Sequence, residues 1–148
     1  MDNYKKLLFT IAALTSLSFG QFAQGTKTID GELAIHAHEG DNITVINLAL
    51  GQFLADSWLV EGGISYMDVD NNDSSTNFEL SASYFMNERV YAGLGMMLPE
   101  EGDEELFVNL GMLSPFMMSE NVYLNPSIEY HTESEIFTLG LGLKFFFE

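Results

Sequence analysis

"TLGLGLKFFFE", residues 138–148, decides how this chain is read. Leu139, Leu141, Leu143, Phe145 and Phe147 alternate with Thr138, Gly140, Gly142, Lys144 and Phe146. A period of two marks a β-strand with two unlike faces. In a soluble sheet the large residues would face a core and polar residues would face water. Here the second face is glycines and a lysine, too small and bare for an ordinary solvent face.

The same alternation recurs upstream. Trp58, Val90 and Val122 lie 32 residues apart, each after a short polar turn: "ADS" (55–57), "NER" (87–89) and "SEN" (119–121). Before these turns sit Phe53, Phe85 and Phe116, with Phe147 a further 31 on. Four such units fill residues 26–147, and each can hold two strands. The pattern predicts strands at 27–38, 43–54, 58–68, 76–86, 89–98, 105–117, 122–132 and 136–147. Short connections make consecutive strands antiparallel neighbours. An even number of hairpin-linked strands suits an up-and-down barrel, which removes both sheet edges.

The faces set which way round the barrel is. One face carries Ile29, Leu33 and Ile35; Trp58, Val60, Ile64 and Tyr66; Phe78, Leu80 and Tyr84; Leu94 and Met96; Leu106, Val108 and Leu110; Leu124, Ile128 and Tyr130. The other carries Asp30, Glu32, Glu61, Ser65, Asn77, Glu79, Ser81, Asn109, Asn125, Ser127 and Glu129, with many glycines. The second strand stays open between Ile43 and Val45 on one side and Ile46, Leu48 and Leu50 on the other. Eight strands enclose an interior just wide enough for side chains. Small polar residues fill it, and a bulky apolar wall faces outward, as in a transmembrane barrel with strands of roughly 10 residues. Trp58, Tyr66, Tyr84, Tyr130 and Phe147 fall near strand ends, where an interfacial girdle belongs. The competing reading is a soluble lipocalin-like barrel. Its ligand cavity would hold four glutamates at a heavy desolvation cost.

Composition narrows the setting. The chain has 148 residues, enough for one domain, and no cysteine. Disulfides, thiolate metal sites, a cysteine nucleophile and a lipoprotein cysteine are therefore excluded. Twenty-two acidic residues against 5 basic ones give a net charge of −17. Nucleic acid is excluded as a partner, because phosphate neutralisation needs a Lys/Arg surface. Residues 1–20 read as an export signal. Lys5 and Lys6 precede the apolar run Leu7 to Phe19, too short to span a membrane as a helix, and small Ser18 and Gly20 suit cleavage after Gly20. A cleavage site at 23–25 stays open.

Export signal, four two-strand units and the closing strand together resemble the small eight-stranded outer-membrane β-barrel family of Gram-negative bacteria. That family includes the transmembrane domain of outer membrane protein A and the bacteroidete-type outer-membrane β-barrel domain. The resemblance covers residues 26–147 and implies an eight-stranded antiparallel transmembrane barrel in the outer membrane. It also implies partners: outer-membrane lipid and lipopolysaccharide, and the barrel assembly machinery. The machinery reads an aromatic-ended last strand, which Leu139, Leu141, Leu143, Phe145 and Phe147 match. A monomer is expected. A periplasmic peptidoglycan-binding domain after the barrel is not expected, so a cell-wall tether is not implied.

Several chemistry-bearing residues also admit plainer roles. By phase, Glu32, Glu61, Glu79 and Glu129 point inward, with Lys144 and Arg89 as the inward cations. Such a network either lines an ion path or plugs the lumen, and eight strands favour the plug. Acidic residues crowd the connections opposite the short turns, from Glu39 and Asp41 to Glu133 and Glu135, with no Lys or Arg within those connections. They either collect divalent cations or keep the surface solvated. "DVDNNDSSTNFE" (68–79) spaces oxygens like a calcium loop, but Asp73 replaces the turn glycine and no helices flank it. "EYHTES" offers His131 and Ser134, with Glu133 or Glu135 as orienters, for a lipid-modifying hydrolase. His131 falls on the lumen phase, away from acyl chains. His36 and His38 share a face, and two ligands alone are weak ground for a metal. Neither a catalytic residue nor a cofactor or metal is assigned. The expectation is a structural or interaction protein with no open pore. A narrow ion or small-solute channel comes second and a lipid-modifying enzyme third.

Overall fold

The computed structural model describes residues 24–38, 41–69, 74–100, 102–116 and 121–147. The expected export signal lies outside them. The strands are β1 (Lys27–His38), β2 (Asp41–Ala55), β3 (Trp58–Val69), β4 (Ser75–Phe85), β5 (Val90–Pro99), β6 (Glu105–Met112), β7 (Ser114–Pro115), β8 (Val122–His131) and β9 (Ile136–Phe147). Each pairs antiparallel with its neighbour, β9 returns to β1, and β6 pairs with β8. The sheet is closed. β7 continues β6 in the same register against β8, so the barrel has eight staves, one of them broken at Leu113.

Register fixes the geometry. From Val108, paired residues run through Leu94, Ala82, Val60 and Gln52 to Lys27. The other way they run through Tyr130 and Phe137 to Ala37. The two paths reach β1 ten residues apart, which is the shear of the barrel. Eight strands with that shear tilt about 40° from the axis. At that tilt a 12-residue strand such as β3 climbs about 30 Å, enough for an apolar band about 25 Å tall.

The wall faces outward as the sequence pattern requires. Among the described residues twenty-three large apolar side chains are exposed, Leu33, Leu50, Leu94 and Leu139 among them. A soluble monomer exposes apolar patches of only about a few hundred Å². The soluble-barrel reading fails on this wall. Pairing also resolves β2: Ile46 sits opposite Leu33 and Leu48 opposite Gly31, so Ile46, Leu48 and Leu50 share the outer face. Val45 turns inward and is buried. Sequence alone left β2 open because its inward residues are also apolar.

Candidate functional site: the lumen

The lumen is layered, and its lowest layer is apolar. At the short-turn end, Phe53, Leu59, Phe85, Tyr91, Leu113, Tyr123 and Phe146 form one buried cluster. Each is the inward residue next to a turn or strand end. Ring centroids lie 5.4 Å apart for Phe53 and Phe85, 6.3 Å for Phe53 and Phe146, and 5.0 Å for Phe85 and Tyr91. Tyr123 meets Phe146 edge-on at 5.2 Å. Tilted and edge contacts at these distances are the favourable ones for aromatic rings. Sequence reading used Phe53 and Phe85 only as markers of the repeat. Carrying the inward parity of Glu61 down to Leu59, or of Lys144 on to Phe146, would have found this layer.

Above it sits an ion-paired tier. Lys144 on β9 is 1% exposed, and its Nζ donates to both carboxylate oxygens of Glu61 at 2.9 Å. The same Nζ is 3.2 Å from Oδ2 of Asp30 and 5.7 Å over the Tyr91 ring. Tyr91 donates its hydroxyl to Asn125 Oδ1 at 2.8 Å, and Asn125 Nδ2 donates to Asp30 Oδ2 at 3.4 Å. One buried cation thus faces two carboxylates that also line the lumen cavity. Such pairs persist only when hydrogen bonds serve the remaining lone pairs. Glycine makes room: a side chain at Gly51 would meet Glu61, and one at Gly111 would meet the Tyr91 ring.

The third tier is acidic. Ser127 Oγ donates to Glu32 at 2.8 Å, and Asn47 Nδ2 donates to Glu79 at 3.1 Å. Among the described residues these two carboxylates are held by neutral donors, without a paired cation. A cavity of about 50 Å³ lies between them and Glu129. That holds roughly three to five waters at about 10–15 Å³ each.

The loop-side rim completes the lumen. His131 is buried, with Nε2 3.6 Å from Glu129 Oε1 and Nδ1 3.8 Å from Glu105 Oε2. Its ring packs 5.5 Å from that of Phe107. Ser134 directs Oγ at Glu105 Oε1, 2.6 Å away. The carboxylate between His131 and Ser134 is therefore Glu105, which sequence reading did not single out for that role. Glu133 and Glu135, the expected orienters, are exposed.

Of the six residues expected in the lumen charge network, the structure brings Glu61 and Lys144 into contact. It places Glu32, Glu79 and Glu129 around the cavity above them. Arg89 departs from the expectation. It is exposed in the β4–β5 turn, where Asn87 Oδ1 takes the amide N–H of both Arg89 and Val90. That side-chain turn ends the strand before Arg89 can point inward. Leu139, Leu141, Leu143, Phe145 and Phe147 all lie on the outer face of β9. The centre of the calcium-like stretch, residues 70–73, lies outside the described residues, as do the side chains of His36 and His38. Among the described residues no three His, Asp or Glu side chains are arranged to hold a metal.

Closed sheet, apolar outer wall and filled polar lumen define a transmembrane β-barrel. The chain is similar in fold to designed transmembrane β-barrels, with 12% identity, TM-score 0.66, and 87% of this chain and 100% of that one covered. It is similar to the N-terminal β-barrel domain of OprF from Pseudomonas aeruginosa, with 18% identity, TM-score 0.59, and 84% and 98% covered. It is also similar to Ail, the attachment invasion locus protein of Yersinia pestis, with 19% identity, TM-score 0.53, and 84% and 99% covered. No protein-family model matches the sequence. A comparison with curated proteins finds no match.

Proposed function

We propose that this chain is an integral protein of a bacterial outer membrane whose role is structural or interactive, with no open pore. The observation that carries this reading is the aromatic layer. Seven packed side chains close the lumen at the short-turn end, directly below the Lys144 ion pair. An ion crossing there would have to leave water entirely. The outer-membrane setting is supported by the likeness to outer-membrane barrels and by the export-signal pattern of residues 1–20. Within that class the repeat and closing strand resemble the bacteroidete-type domain. The partners that follow are lipid and lipopolysaccharide against the apolar wall, and the assembly machinery at the β9 signal. Divalent cations at the acidic loop side belong to the same reading, as does a monomeric state.

A narrow channel is the second reading, and the cavity among Glu32, Glu79 and Glu129, with room for several waters, favours it. Planar bilayers separate the two. The intact protein is expected to give no conductance steps. Phe53→Ser with Phe146→Ser, which hollows the aromatic layer, is expected to give small cation-selective steps. Steady conductance from the intact protein would replace the closed reading with the channel.

A further inference from the structure

The strand ladder is uneven around the barrel. β6 pairs with β8 from Phe107 opposite His131 to Gly111 opposite Ser127, and pairing resumes only at Ser114 opposite Leu124. Every other neighbouring pair holds its ladder over eight or more residues. The cause is chemical. Phe116 N donates to Val122 O, and Thr132 N donates to Leu106 O, so even-numbered β8 residues face β6 and β7 with their N–H and C=O groups. Pro126 is even-numbered, falls opposite Met112 in the same register, and has no N–H to give. The middle of this seam therefore lacks a ladder hydrogen bond in a wall that faces lipid, where each such bond matters most.

Both ends of the seam are pinned. At the turn end, Leu113 and Tyr123 belong to the aromatic cluster. At the loop end, Ser134 donates both its N–H (2.9 Å) and its Oγ–H (2.6 Å) to Glu105 Oε1, reaching from the β8–β9 turn to the start of β6. Thr132 adds Oγ1 to Leu106 O at 2.9 Å. The His131 ring packs on Phe107 across the same line. We propose that Glu105 is a clasp: it holds the weakest seam of the barrel shut at the loop end through its two hydrogen bonds from Ser134. With the clasp released, β6 and β8 part at this end while the rest of the wall stays closed.

Amide hydrogen exchange of the full chain, refolded in lipid nanodiscs, tests this. In the unaltered protein, amides of 107–111 and 127–131 are expected to exchange before those of β1 and β2. Glu105→Ala should speed them about tenfold, the worth of one to two hydrogen bonds to a charged group at the barrel rim, and leave β1 and β2 unchanged. Pro126→Ala restores the missing donor and should slow the same amides, alone and combined with Glu105→Ala. The clasp is overturned if the seam exchanges no faster than β1 and β2 in the unaltered protein. It is equally overturned if Glu105→Ala speeds all strands alike. Should Glu105→Ala fail to fold, Ser134→Ala, which removes the Oγ–H donor and leaves Glu105 in place, is read instead: faster exchange confined to the seam supports the clasp, and no change overturns it.

Discussion

Lys144 is the residue on which the lumen's electrostatics turn. It is wholly enclosed and faces Glu61 and Asp30 together. Lys144→Met keeps the side chain's length and removes its charge, leaving two carboxylates unpaired in a buried site. Removing one partner of a buried pair costs about 3–5 kcal/mol. Urea-dependent folding into lipid vesicles should show a loss of that order, and Glu61→Leu added to Lys144→Met should recover much of it. An unchanged midpoint would mean that lumen water, not Lys144, compensates the carboxylates. The inward direction of Lys144 and Glu61 was legible from the period of two. Their meeting was not, since the two lie 83 residues apart and are related only through the registers of β9, β1, β2 and β3. Arg89 was misread for the opposite reason. A local side-chain turn at Asn87 overrides the alternation there.

At the scale of the element, β9 shows how much two faces of one strand can differ. Its outer face offers Leu139, Leu141, Leu143, Phe145 and Phe147 to lipid, and its inner face offers glycines, Lys144 and Phe146 to the lumen. Leu141 lies mid-strand and is half exposed. Leu141→Arg should therefore lose about 2–4 kcal/mol of folding free energy in bilayers, the cost of a cation near the midplane. A loss no larger than for the same change at Phe147, near the strand end, would deny that β9 crosses the apolar band. The wall was legible in the sequence because it is uniform. The aromatic layer is legible only by parity carried from Glu61 and Lys144, because near the turns both faces are apolar: Phe53 beside Leu54, Leu59 beside Trp58, Phe146 beside Phe147. Alternation fades where inside and outside share one character, and the same fading left β2 unassigned. The break between β6 and β7 was signalled by Pro126, whose missing donor sequence reading did not weigh.

As a whole, the molecule is a closed tube with unlike ends. Closure joins the first strand to the last, Lys27 opposite Phe147, so no sheet edge remains to fray from. Electrophoresis of unboiled and boiled samples should therefore give two mobilities, one for the closed barrel and one for the unfolded chain. A single mobility, or recovery of the protein in a soluble fraction, would contradict a closed membrane-spanning wall. The loop side carries exposed acids such as Asp68, Asp103, Glu104 and Glu133, while the exposed cations Lys27 and Arg89 stand at the other end.

The aromatic layer has an electrical consequence. Polar groups and a cavity for a few waters lie above it; packed rings offer a passing ion nothing in place of its water. A voltage across the membrane therefore drives no steady current through the lumen, because the rings stop a charge entering from either end. Moving one charge through a full drop is worth about 2.3 kcal/mol per 100 mV. Lys144, against Tyr91 and held by Asp30 and Glu61, is a tethered charge inside that drop and can respond to it only by leaving both carboxylates.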